Sequence, residues 1–223
     1  MTSAIEHLRQ ATALDKDFAL AYSLLALWIA YEAKLSFLPN ADLQYSQAKV
    51  AAERAVALDP NGPEVIGYAG CALVAIGDMS NGRELVERAI ELDPSNPQAR
   101  VSLGATQVRA GEYERGIENM RLGIRSSPRD YGLTWWSMGL ANALRLAGRL
   151  EDALPQVQTV CRRDGRLHMA RVLMASILTE LGRPGEARDA IINARRIRPA
   201  LNLSEIARFF GTSVADELQA VWE

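Results

Sequence analysis

Three prolines, Pro60, Pro94 and Pro128, stand 34 residues apart, and the stretches between them repeat in kind. Asp59-Pro60-Asn61, Asp93-Pro94-Ser95-Asn96-Pro97 and Ser127-Pro128-Arg129-Asp130 each close one apolar-periodic segment and open the next. A fixed period of that length marks an array of stacked units. Each unit buries its apolar face only against a neighbour, so one repeat constrains both shape and use of the whole chain.

The recurrence continues inside the units. With position 1 at Pro63, Pro97, Thr134 and His168, and a looser copy at Ala19, position 8 is Ala26, Gly70, Gly104, Ala141 and Ala175. Position 20 is Ala48, Gly82, Gly116, Ala153 and Ala187, and position 27 is Ala55, Ala89, Gly123, Val160 and Ala194. Small residues return where two helices must approach closely. Leu25, Leu103, Leu140 and Met174 fill the first helix of each pair, and Val86, Met120, Val157 and Ile191 the second. That is helical periodicity in both members of a hairpin. Gly77, Gly111, Gly148 and Gly182 fall between the two helices, where a left-handed residue ends the first. Pro60, Pro94, Pro128 and Pro199 stop the second, since proline supplies no interior N–H.

These positions resemble the tetratricopeptide repeat, a pair of antiparallel helices with small residues at places 8, 20 and 27. The resemblance implies an all-α, right-handed superhelix of about five repeats in a single solenoid domain, residues 1–223. The expected divisions are a half-repeat at 3–17, repeats at 19–62, 63–96, 97–130, 134–167 and 168–201, and a cap at 203–223. The aromatic usual at position 4 survives as Tyr22, with Ile66, Arg100, Ser137 and Arg171 in its place elsewhere. About ten extra residues around Lys34 to Asp42, with Pro39 among them, predict a long turn in the first full unit. The Arg129–Leu133 connection is also longer than its counterparts. Ser204 reads as the start of a capping helix and Val214 to Trp222 as one more short helix.

Charge is unevenly spread. Residues 1–99 carry a net −6, residues 100–208 a net +7 and the last fifteen −3, giving −2 for the chain. Such a division suits head-to-tail self-contact or an anionic partner, but a solvated Arg-rich surface is the simpler account, because exposed charges need no partner. The basic half, with Arg162, Arg163, Arg166, Arg171, Arg195, Arg196 and Arg198, lacks interleaved aromatics, which argues against nucleic-acid binding. Cys71 and Cys161 form no CxxC pair and fit a reducing compartment. No signal peptide precedes the first amphipathic segment, and the most apolar stretch, residues 19–33, is too short to span a bilayer. The expectation is a cytoplasmic protein without a membrane segment.

Chemistry is missing from the motifs. The two histidines, His7 and His168, have no metal-ligand partner at helical spacing, and no phosphate-cradling glycine loop precedes a helix. Acids such as Glu112, Glu114, Glu151 and Asp152 sit at the starts of second helices, where they complement the helix dipole. No catalytic residue, metal or cofactor is expected. What remains is a surface. In tetratricopeptide arrays the first helices line a concave groove, and by resemblance that lining includes Val101, Val108, Arg109, Trp135, Met138, Asn142, Arg145 and Val172. Trp135, Asn142 and Arg145 stand out, because Trp and Arg dominate many interfaces and an Asn amide pairs with a peptide backbone. Adjacent Trp135 and Trp136 point about 100° apart on a helix, so at least one belongs to the core. The lysines needed to clamp a peptide C-terminus are absent from these places.

The implied function is a non-catalytic scaffold binding a protein or peptide segment, with self-association left open. The run Leu14–Tyr22, the insertion and the tail Asn202–Arg208 also resemble the carboxyl-terminal repeat region of bacterial class III adenylate/guanylate cyclase-like signalling proteins. That second resemblance implies a regulatory or assembly module, with the opening half-repeat belonging to a longer chain.

Overall fold

One turn, used four times, closes the helix pairs. Gly77, Gly111, Gly148 and Gly182 have φ values of 93°, 81°, 72° and 70°. The N–H after each glycine donates to a carbonyl five residues back: Asp78 to Leu73, Glu112 to Gln107, Arg149 to Leu144 and Arg183 to Leu178, all at 2.9 Å. Left-handed backbone there satisfies a helix-end carbonyl without a Cβ penalty. A second turn links pair to pair through a recurring aspartate. Its Oδ1 accepts a backbone N–H two or three residues on, from Gly62 at Asp59 (2.8 Å), Ser95 at Asp93 (2.9 Å), Gly132 at Asp130 (2.7 Å) and Arg166 at Asp164 (2.9 Å).

The computed structural model describes residues 2–36 and 41–222. Those residues form thirteen helices: α1 (Thr2–Leu14), α2 (Ala19–Ser36), α3 (Ala41–Leu58), α4 (Pro63–Ile76), α5 (Met79–Leu92), α6 (Pro97–Arg109), α7 (Tyr113–Ser126), α8 (Leu133–Leu146), α9 (Leu150–Arg163), α10 (His168–Glu180), α11 (Pro184–Ile197), α12 (Leu203–Phe210) and α13 (Thr212–Gln219). No strand occurs among the described residues. The chain packs as two compact units, Met1–Ser127 and Pro128–Glu223, dividing where the lengthened Arg129–Leu133 connection begins.

In the first unit the pairs are α2/α3, α4/α5 and α6/α7, with α1 packed on α2 and first helix against first helix along α2, α4 and α6. Every small position expected at a helix contact is buried in both units, from Ala26 and Gly70 to Ala187 and Ala194. Gly104 shows why. A Cβ there would lie 2.6 Å from the Gly116 carbonyl oxygen and 2.7 Å from Met120 Cγ, so α6 and α7 cross at backbone distance. Asn96 adds a tie between pairs: its Oδ1 accepts from Ala99 N at 2.9 Å, capping α6, while its Nδ2 donates to the Pro63 carbonyl at 3.3 Å.

The insertion is absorbed differently from the long turn expected. Helices α2 and α3 each run 18 residues, against 13 or 14 in the pairs that follow, so much of the added chain continues both helices. Residues 37–40, including Pro39, lie outside the described residues.

In the second unit α8 pairs with α9 and α10 with α11. The chain then turns through Leu201 into α12. Its cap is Asn202, two residues before the expected Ser204, because the Asn202 Oδ1 accepts from Glu205 N at 3.0 Å. Glu205 in turn receives both arms of Arg198 at 2.6 and 2.9 Å, and that guanidinium holds its carboxyl below the usual range. Gly211, at φ 103°, ends α12 and sends α13 back across α10.

Candidate functional site

In the first unit, α6 and α7 lie near enough that Val101 and Val108 are packed away. Val101 and Val108 are each 7% exposed. Their γ-methyls occupy the space a side chain would need at Gly123 and Gly116, at 2.7 and 2.6 Å from the ideal Cβ positions. Both valines therefore fill the α6/α7 crossing and are not groove contacts. The glycines at positions 20 and 27 draw them in. Arg109, at the end of α6, is exposed, with Nη1 3.6 Å from the Met79 sulfur.

Beside these valines runs a short polar string. Ser102 Oγ donates to Cys71 Sγ at 2.9 Å, and the Gln98 amide nitrogen reaches Ser102 Oγ at 3.5 Å and Tyr31 OH at 3.4 Å. Burial drives the Cys71 thiol up to about 11, so it stays protonated and inert at neutral pH. Packing alone brings Gln98, Cys71, Ser102 and Tyr31, from three different helices, into this string.

In the second unit Trp136 is buried at 4% and Trp135 is exposed at 36%. The adjacent pair divides as helix geometry requires, with Trp135 outward. Met138 and Val172, at 5% and 0%, are core residues. Asn142 is half-buried. Arg145 was expected as a contact for another chain but is 8% exposed and already engaged. Its Nη1 donates to Glu180 at 2.6 Å and lies 3.4 Å from Ser176 Oγ, and its Nε reaches the Asn142 carbonyl oxygen at 3.4 Å. Glu217 of α13 completes the group, accepting from Ser176 at 3.3 Å with its Oε2 4.0 Å from Arg145. The two acids escaped the sequence reading for different reasons. Glu180 holds a first-helix place one repeat after Arg145, whereas Glu217 sits on a helix outside the 34-residue phase.

The arginine-rich set is also partly engaged. Arg198 holds Glu205, Arg195 lies 5.3 Å from the Trp222 ring centroid and 3.4 Å from its carbonyl, Arg196 reaches Asn193 and Arg162 reaches Thr159. A cleft of about 470 Å³ on the first unit is lined by Arg83, Glu87, Gln107, Arg115, Glu118 and Asn119. Its polar groups already face one another: Arg83 pairs with Glu87 at 2.8 Å, and the Asn119 amide donates to Gln107 at 2.9 Å. His168 begins α10 beside Arg198 and Glu205. Burial, with Arg198 adding to it against Glu205, lowers its pKa. Among the described residues no group of three or more His, Cys, Asp or Glu could hold a metal ion, and no helix is long and apolar enough to cross a membrane.

Paired helices, glycine and alanine at their crossings and a repeated glycine turn define the tetratricopeptide-repeat class, and the chain carries that fold. Residues 69–131 match the family profile described as tetratricopeptide repeat. Among solved structures the chain is similar to YrrB, described as a TPR protein with an unusual peptide-binding site, at 17% identity and TM-score 0.55, covering 88% of this chain and 94% of that one. It is similar to a chain of the APC/C hetero-tetramer Cut9-Hcn1 at 15% identity and TM-score 0.77, covering all of this chain and 40% of the other. PilF of Pseudomonas aeruginosa aligns at 16% identity and TM-score 0.62, over 96% of this chain and 86% of its own. No curated protein matches the sequence.

Proposed function

We propose that the protein is a non-catalytic scaffold that holds a segment of another protein on the first-helix face of its repeats. One observation carries this reading: Arg109 stays exposed on a first helix of the first unit and Trp135 on a first helix of the second, where Asn142 is half-buried, while their neighbours are consumed by packing. Tryptophan and arginine are the side chains that contribute most when an interface desolvates them. The peptide-binding site in the description of YrrB supports the same use of this fold. The two free cysteines, Cys71 buried, support a cytoplasmic setting.

Site-specific photo-crosslinking tests the reading. A photoreactive residue at Arg109 or Trp135 is expected to capture a discrete partner in native lysate, and the same residue at exposed Arg188 on α11 to capture none. Equal capture from all three positions would remove the first-helix face from the proposal.

A further inference from the structure

The C-terminal helix shows what the second unit is built to hold. Helix α13 lies on α10 with Val214, Ala215 and Leu218 buried, followed by buried Val221. Its Glu217 stands at the rim of that apolar stripe and meets Ser176 and Arg145. Ser176 is fully buried at the junction, and Arg145 is held by Asn142 on one side and Glu180 on the other. Beyond α13, Trp222 lies against Arg195, which also donates to the Trp222 carbonyl. Three features are thus recognised together: an aliphatic stripe, a carboxylate beside it and an aromatic ring five residues on.

The occupant is weakly anchored by its own backbone. At eight residues α13 is too short to persist alone, and Gly211 joins it to α12 at φ 103°. Arg145 already has Glu180 at 2.6 Å, so its positive charge is partnered when Glu217 leaves. The receptor does not need α13 to satisfy its buried cation.

We infer that the α8–α10 face around Arg145 and Ser176 is a receptor for an acidic amphipathic helix, that α13 is its resident occupant, and that a partner helix of the same chemistry binds by exchanging with it. The partner would carry a Glu or Asp flanked by aliphatics at −3, −2, +1 and +4 and an aromatic at +5, the pattern of Val214, Ala215, Glu217, Leu218, Val221 and Trp222. This deepens the scaffold reading and rests on it, by naming the partner chemistry for the second unit. A tether of a few residues holds α13 at an effective concentration of about millimolar, so exchange demands a close match to this pattern.

The test uses the full-length chain and a fluorescent peptide with the sequence of residues 211–222. The intact protein should bind it poorly. Glu217→Arg sets like charges at Arg145, and Trp222→Ala removes the resident ring while leaving Arg195 to receive the peptide's own. Each variant should bind the peptide about tenfold more tightly than the parent, the scale of one lost charged hydrogen bond. A peptide with glutamine at the Glu217 position should lose about the same factor. Hydrogen exchange should speed up in α13 and stay unchanged in α8 and α10. Unaltered peptide affinity in both variants, or exchange that rises in α8, α10 and α13 together, would make α13 a fixed structural cap and overturn the inference. Dimerisation of either variant would make a second copy the occupant and overturn it equally. The assay needs no foreign partner, so its failure leaves the crosslinking result at Arg109 and Trp135 untouched, and the converse holds.

Discussion

Replacing Gly104 with alanine sets two effects against each other. On an isolated helix the change gains about 1 kcal/mol, because alanine is the better helix former. Here the added Cβ would stand 2.6 Å from the Gly116 carbonyl oxygen, and ordinary contact begins at 3.4 Å, a shortfall of 0.8 Å. The obstructing atom belongs to a helix backbone and cannot rotate aside. Helices α6 and α7 must separate locally, and a gap of roughly 0.5–1 Å forfeits a quarter to a half of each dispersion contact it opens. Met120 and Val108 line that crossing and are both buried. Overpacking of this kind costs about 2–3 kcal/mol, so after the propensity gain the net loss is about 1–2 kcal/mol. Helix ellipticity followed on heating should show a midpoint lowered by about 2–8 °C. Gly116→Ala meets the same crossing from the other side, with the Gly104 oxygen at 2.7 Å, so the double variant should fall short of the sum of the singles. A Gly104→Ala protein stabilised by about 1 kcal/mol would refute the close crossing, since only propensity would then be acting.

Other perturbations probe separate features. Asn96→Ala removes both the α6 cap and the tie to Pro63 and should lower stability by about 1–2 kcal/mol in urea unfolding; a change indistinguishable from zero would argue that the cap is not formed. The folded protein holds His168 below its ordinary value of 6.5, so the unfolded chain binds its proton first, and stability should fall as pH drops through 6.5. His168→Asn should flatten that decline between pH 7.5 and 5.5, a window above the lowered Glu205 titration, and equal slopes in both proteins would contradict it. Cys161 is half-buried and Cys71 buried with its thiol near 11, so N-ethylmaleimide at pH 7.5 should modify Cys161 first, read by mass spectrometry of the intact protein. Modification of Cys71 at the same rate would show that the first-helix packing opens freely.

The repeat positions translated directly into structure where the governing interaction is local. Gly77, Gly111, Gly148 and Gly182 sit in the left-handed turns their spacing implied, because a helix end and a glycine settle that backbone within a few residues. The expected lining fared otherwise. Position alone could not separate Val101 and Val108, drawn into the space beside Gly123 and Gly116, from Arg109, which stays outside. Nor could it foresee that Ser204 would yield the cap of α12 to Asn202, a choice made by one side-chain bond to Glu205 N.

By itself, the amino-acid order determined helix pairs of 34-residue period and the small residues at their crossings, since both follow from contacts between near neighbours and from steric size. Tertiary structure alone decided which first-helix side chains meet solvent and where Arg145 finds its counter-charges. Glu217 is 72 residues away along the chain, and α13 keeps no repeat phase that would align it with Arg145. Pairing across that separation depends on how the last helices pack, and packing is the property a one-dimensional period does not carry.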